Sequence, residues 1–331
     1  MSAQKTILVT GATGNQGRGV VRHCLAHGHA VLALVRDPSA PAALELQRSG
    51  AELRVGTFDD VSSLRAAVRG ADAVFATEVR TREGNAADLG RLGNVVDAAL
   101  AAEPPVGLFV VSTAYKTGEH ESFAGWGPQH PMYGYWLQKE AIEKLVRNAG
   151  FEHWLALRPA HFLQNLKVPL SNWCFTGLAD KDAETGRRVI STAWKPETKV
   201  LYLDVEDVGV PTALAVSDPA RYHGRTIDMG AEAVTVAQLA EKLGRATGEG
   251  EGAVGVRYMT DAEADAALAA GTNPAIASQK WANALGEQRV TTEFRMTSIE
   301  DFIARNKGEI FPGLEGEDAS ARKPDLVGYD K

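Results

Sequence analysis

Cysteine is scarce in this chain. Cys24 and Cys174 are the only two among 331 residues, which excludes a disulfide framework. Both thiols are expected to be packing residues in a reducing, cytoplasmic setting. Positive charge is not concentrated either: 35 Lys and Arg stand against 42 Asp and Glu, for a net charge of −7. No Lys/Arg cluster offers the basic patch that nucleic-acid backbones require, so direct nucleic-acid binding is not expected. Apolar runs of bilayer-spanning length are missing, so no membrane association is expected. The residues before the first apolar run are few, and no targeting segment is expected. His, Cys, Asp and Glu do not fall at metal-ligand spacing, and no metal is expected. With 44% hydrophobic and 23% charged residues, the chain is long enough for one large or two modest globular domains.

The sequence is organised around Gly11-Ala12-Thr13-Gly14-Asn15-Gln16-Gly17. The apolar run at 6–10 reads as a buried strand, and Val20, Val21, Cys24 and Leu25 then recur at helical spacing. Strand, glycine turn and helix in that order form the setting of a dinucleotide-binding loop. Backbone N–H groups at a helix N-terminus face a pyrophosphate there, where the helix dipole also favours negative charge. Gly11 supplies the turn, Gly14 the close backbone approach and Gly17 the tight helix–strand packing, with Thr13, Asn15 and Gln16 between them. The G-x-x-G-x-x-G spacing resembles the loop of the short-chain dehydrogenase/reductase superfamily.

Alternating strands and helices follow. Strands are expected at 30–35, 51–56, 72–77, 106–111 and 153–157, and helices at 41–49, 61–69, 85–102 and 140–148. Six such units imply a doubly wound, parallel α/β sheet, the Rossmann fold, over residues 1–160. Residues 161–311 are expected to form a smaller α/β substrate-binding part, and 312–331 a poorly ordered polar tail. Within the second part, Thr235 and Gln238 form a capping box, and Thr297 with Glu300 is expected to cap the last helix.

Positions at the strand ends carry the cofactor expectations. Arg36 ends the second strand beside the adenosine ribose, where an arginine suits the 2′-phosphate of NADP and an acid the 2′-hydroxyl of NAD; Asp37 follows at once. NADP(H) is therefore expected, with NAD as the alternative. After the third strand, Asp59 is the better candidate for the adenine amino group and Asp60 the second; Asp60 equally suits a helix N-cap. Thr77, Glu78 and Val79 lie at the carboxyl end of the fourth strand, near the crevice where strand order reverses.

Tyr135 and Lys139 are four apart and share one face of a helix. Beside a nicotinamide, the Lys ammonium stabilises the phenolate and holds the ribose, while the Tyr gives or takes the proton of a carbonyl or hydroxyl. Pro131 and Gly134 place Tyr135 at the helix start or in the loop before it. Ser112 or Thr113, at the end of the fifth strand, could bond the same oxygen. The set resembles the Ser/Thr and Tyr-x-x-x-Lys residues of short-chain dehydrogenases, in the same chain order. Trp126, Tyr133 and Trp136 are candidates for an aromatic pocket wall, though ordinary core is the alternative; His130, His161 and Phe162 are candidate pocket residues.

The loop at 11–17, Leu34-Val35-Arg36-Asp37-Pro38, Gly56-Thr57-Phe58-Asp59-Asp60, Gln138-Lys139-Glu140-Ala141-Ile142-Glu143 and Leu157-Arg158-Pro159-Ala160-His161-Phe162-Leu163-Gln164-Asn165 together resemble the NmrA-like family of atypical short-chain dehydrogenases, over about residues 5–230. That resemblance implies an NADPH-dependent reductase of a small carbonyl, quinone-like or conjugated aromatic compound, with the lysine matching Lys139 important. It also implies an alternative: a redox sensor that reads NADP(H) and binds a protein partner without turnover. Sensor members carry a basic residue soon after the arginine matching Arg36, where this chain has Ser39-Ala40-Pro41; this implies modest NADP selectivity. Sensors also lack the tyrosine matching Tyr135, which favours an enzyme. A third expectation keeps the cofactor but uses transient oxidation for an epimerisation or dehydration.

Overall fold

Short apolar runs bounded by turn residues become strands buried on both faces. In the computed structural model, which describes residues 4–77, 83–250 and 252–314, these are β1 (Thr6–Val9), β2 (Ala30–Val35), β4 (Ala73–Thr77), β5 (Leu108–Ser112) and β6 (His153–Pro159), whereas β3 (Glu52–Val55) is a partly exposed edge strand. Between them run α1 (Asn15–Ala26), α2 (Pro41–Arg48), α3 (Val61–Ala67), α4 (Asn85–Leu100) and α5 (Tyr133–Asn148). Further strands are β7 (His161–Phe162), β8 (Arg188–Thr192), β9 (Lys199–Leu203), β10 (Arg225–Met229), β11 (Glu232–Thr235) and β12 (Val254–Tyr258).

The main sheet has the order β10-β6-β5-β4-β1-β2-β3, and every pairing in it is parallel. Strand order reverses between β1 and β4, so the crevice opens at their carboxyl ends. Alternate residues of each strand feed two cores. Ile7 and Val9 pack with Val20, Val21 and Cys24 of α1, whereas Leu8 and Val74 pack with Leu92, Val95 and Ile142 of α4 and α5. Cys24 is sealed in the first core, and burial pushes its thiol up to about 12. Among the described residues, no helix is long and apolar enough to cross a membrane.

The later chain returns to this sheet. β10 pairs along β6, and the helix Gly209–Ser217 crosses α1. That crossing depends on two glycines. A Cβ at Gly19 would lie 2.6 Å from Glu206 Cα, and one at Gly209 would lie 2.5 Å from the Gly19 carbonyl oxygen. Arg22 adds an ion pair to Glu206. The rest of the later chain surrounds a third core of Leu163, Phe175, Trp194, Tyr202, Leu239 and Phe302, flanked by the β11-β9-β7 sheet and the β12-β8 pair.

Local signals hold in some places and yield in others. The Thr235/Gln238 capping box is formed. The last long helix, Ile299–Arg305, is capped by Ser298 instead of Thr297, because Asp207 draws off both the N–H and the hydroxyl of Thr297, at 2.7 and 2.9 Å. α5 begins at Tyr133, before the expected 140, and runs through Gly134. The burial of Trp136 against Phe123 and Trp281 fixes this first turn and overrides the weak helix propensity of Gly134.

Two alanine substitutions separate crowding from propensity. Gly19→Ala forces backbone apart at the α1 crossing and is expected to destabilise by about 1–3 kcal/mol. Gly90→Ala, on α4 where a Cβ meets nothing within 4 Å, is expected to stabilise by about 0.5–1 kcal/mol. Chemical denaturation of both variants measures the difference.

Candidate active site

The loop after β1 turns at Gly11, whose φ of +59° is left-handed. The Gly14 N–H donates to the Gly11 carbonyl at 2.9 Å, and Gly14 then caps α1 without a side chain. The first N–H groups of α1 have no side-chain cap, which suits an anion. A Cβ at Gly17 would lie 2.2 Å from the Gly11 carbonyl oxygen, so helix and loop are in backbone contact there. Thr13 and Asn15 are exposed on the rim, and the Gln16 Oε1 is buried without a hydrogen-bond partner. Thr77 adjoins this loop: its Oγ1 lies 3.6 Å from where a Gly11 Cβ would be. Glu78 and Val79 lie outside the described residues.

Arg36 is exposed at the end of β2 and joins no ion pair among the described residues. Asp37 beside it is occupied: its Oδ1 accepts from Ser39 Oγ at 2.6 Å and from the Ser39 N–H at 2.8 Å. These bonds, the hydroxyl first, hold its carboxyl below the usual carboxylate range. Asp60 is the N-cap of α3, accepting from the N–H groups of Ser62 and Ser63. Asp59 accepts from Arg91 Nε at 2.7 Å, and Arg91 also reaches Glu83 at 2.8 Å, which ties the start of α4 to the loop after β3.

Tyr135 is the third residue of α5, and Lys139 follows one turn later on the same face. The Lys139 Nζ stands 5.1 Å from the centre of the Tyr135 ring, and Lys139 is buried. Ser112 and Thr113 diverge. Strand alternation sends Thr113 to the α5 side, where its hydroxyl donates to Glu143 Oε1 at 2.7 Å. Ser112 is 1% exposed, and its Oγ has no hydrogen-bond partner among the described residues.

The aromatic candidates fall into two groups, one in which Phe123 joins Trp126 and Tyr133 to Trp136, the other around His161. Trp126 packs against Tyr133, His130 and His120 at ring separations of 5.0, 5.3 and 4.6 Å. Trp136 points inward to Phe123 and Trp281, as a packing residue. Edge contacts also join Trp136 to Tyr135, at 5.0 Å. His161 sits with Trp194, Tyr202 and Phe175, and Phe162 packs on the first core. Burial lowers the His130 imidazole and pulls that of His161 down to about 4.

Glu143 and Arg158 are the site-side residues that were not singled out. Glu143 continues the Tyr135, Lys139 spacing by one more turn, a signal present in the sequence. Trp281 has no local signal; only the fold brings it to Trp136.

Comparison with known proteins matches this arrangement to one family. The model of the NmrA-like family matches residues 3–258. The chain belongs to the NmrA-like family. An NmrA-like family domain-containing oxidoreductase, hkm9 of Aspergillus hancockii, is 29% identical over 255 residues, covering 74% of this chain and 73% of that protein. An NAD(P)H azoreductase of Xenophilus azovorans is 28% identical over 243 residues, covering 73% and 74%. The crystal structure of NmrA, a negative transcriptional regulator in complex with NAD, superposes with a TM-score of 0.71 at 21% identity, covering 91% of this chain and 94% of that one. That likeness establishes the NmrA-like fold for the chain. The family match ends at Tyr258, so Trp281 and the helices around it lie past it.

The aromatic setting of His161 has a direct readout. Its imidazole is expected to titrate near pH 4 in an NMR pH series, well below a free histidine. The lowered value also has a stability sign. The neutral form is favoured by folding, so the stability it contributes is complete above about pH 6.5 and lost as pH falls toward 4. His161→Phe is expected to flatten the acid limb of the stability–pH curve over that window.

Proposed function

We propose that this NmrA-like protein is an NAD(P)H-dependent reductase of a small carbonyl, quinone-like or conjugated aromatic compound. The observation that carries the reading is the pair on α5, a buried Lys139 with its ammonium 5.1 Å from the ring centre of Tyr135, on the helix that flanks β5 and β6. An oxidoreductase and an NAD(P)H azoreductase among the relatives support the same reaction class.

The loop fits a dinucleotide. Close backbone approach at Gly14 and Gly17 and uncapped N–H groups at the start of α1 form a cradle that side chains would fill. Arg36 is the candidate for a 2′-phosphate, supported by its exposure at the end of β2 and by the bonds that turn Asp37 Oδ1 to Ser39. Asp59 remains the candidate for the adenine side, and Asp60 serves its helix.

The reduced dinucleotide, when bound, supplies the hydride. The chain's own residues supply position and a proton. Lys139 holds the ribose, and its ammonium, 5.1 Å from the ring centre, stands beside the Tyr135 ring. Tyr135 delivers its phenolic proton to the substrate oxygen and recovers one from solvent. Ser112 is the strand-end hydroxyl with a proton still unassigned, since that of Thr113 goes to Glu143. Trp126 and Tyr133 offer aromatic surface on the side where α5 begins, which suits a flat, conjugated substrate.

Two measurements test this. In a fluorescence titration, NADPH is expected to bind more tightly than NADH, and Arg36→Ala to weaken NADPH by roughly tenfold while leaving NADH unchanged, the loss of one charge-assisted contact. In a quinone- and azo-dye reduction assay, Tyr135→Phe is expected to lower kcat by about 10²–10⁴-fold with little change in NADPH affinity. Wild-type turnover in Tyr135→Phe would remove the tyrosine from the mechanism. Preference for oxidised cofactor, with no reduction of any substrate, would favour a redox sensor that binds a protein partner.

A further inference from the structure

Glu143 is buried, with 3% of its side chain exposed, and it ties three elements together. Its Oε1 accepts from Thr113 Oγ1 at 2.7 Å and from Arg158 Nε at 2.8 Å, and its Oε2 accepts from Arg158 Nη2 at 2.7 Å. Thr113 immediately follows β5, and Arg158 lies in β6. On α5, Glu143 stands one turn beyond Lys139 and two beyond Tyr135, so the three side chains form a row on one face.

An ion pair placed this deep is a poor device for stability, since two desolvated charges recover little more than an apolar pair of the same shape. It is a good device for geometry. The two-pronged Arg158 fork fixes the direction of the carboxylate, and the hydroxyl from the neighbouring strand fixes its rotation. Apolar packing of Ile142 and Val146 holds α5 against the sheet without directional bonds. Three directional bonds one turn from Lys139 add the direction that such packing lacks.

We infer that Glu143, held by Thr113 and Arg158, is a positioning residue that sets α5 along and about its axis and so places the Lys139 ammonium at the cofactor ribose. This rests on the reading of Lys139 as the ribose clamp. It also gives Thr113 a role different from bonding the substrate oxygen: its hydroxyl proton belongs to the lock.

The test is a double-mutant cycle on the full chain, read by NADPH fluorescence titration with thermal unfolding in parallel. Lys139→Met is expected to weaken NADPH binding by about tenfold, and Glu143→Gln by about three- to tenfold. The double variant is expected to bind no more weakly than Lys139→Met alone, because Glu143 acts only through that lysine. A general structural role would instead make the two losses multiply, and multiplication overturns the inference while the clamp reading stands. Unchanged NADPH affinity in Lys139→Met overturns the clamp reading, and the inference with it. Glu143→Leu combined with Arg158→Met guards against misfolding, since neither charge is left buried alone. That pair is expected to unfold near the wild-type temperature yet to bind NADPH more weakly, and wild-type affinity in it overturns the inference.

Discussion

The contact between α1 and the loop leaving β1 admits no side chain at position 17. A single methyl there would occupy the space of the Gly11 carbonyl. This sets how close the first helix lies to the first strand, and much else follows from that spacing. It turns the start of α1 toward the crevice, brings Gly11 up to Thr77 on β4, and leaves α1 low enough for the helix Gly209–Ser217 to cross it at Gly19. The proposed dinucleotide cradle and the docking of the later chain thus share one steric cause. Backbone approach of this kind has no soft mode: a displaced carbonyl moves the loop, the helix and the crossing together.

The opposite wall of the crevice is built by a different physics. α5 is placed by aromatic packing at its start and by a buried ion pair in its middle. Trp136 anchors the first turn, and Glu143 anchors the third to β6 and to the residue that follows β5. Lys139 lies between those anchors, and Tyr135 directly precedes the first of them. The proposed chemistry therefore sits beside two fixed points of one helix, which is what a proton donor and a charge beside a cofactor require.

Legibility in the sequence followed the locality of each interaction. Five of the first six strands could be read because strands covered on both faces appear as largely apolar runs, β3 because its edge position leaves an alternation of charged and apolar residues, and the glycine loop because its turn, approach and packing demands fall within seven residues. Asp60 as a cap and the Thr235/Gln238 box were similarly local. The cap at 297 was misread by one position, because Asp207, far away in sequence, competes for Thr297. The start of α5 was obscured by Gly134, whose weak propensity is outweighed by the burial of Trp136. The partnership of Glu143 with Arg158 and of Trp136 with Trp281 could not be read at all, since each joins separate elements that only the fold brings together.

The seventh strand has a consequence for how the molecule is made. β6 is hydrogen-bonded to β5 on one side and to β10 on the other, yet β10 is synthesised long after β6. At about 5–20 residues per second, a ribosome leaves β6 as a raw sheet edge for several seconds. During that interval the α1 surface that will receive Gly209 is also bare. The nascent chain thus carries two incomplete faces of one α/β layer, an open edge and an uncovered helix, until the later segment arrives. The order of synthesis makes the second half of the chain an intramolecular guardian of the first.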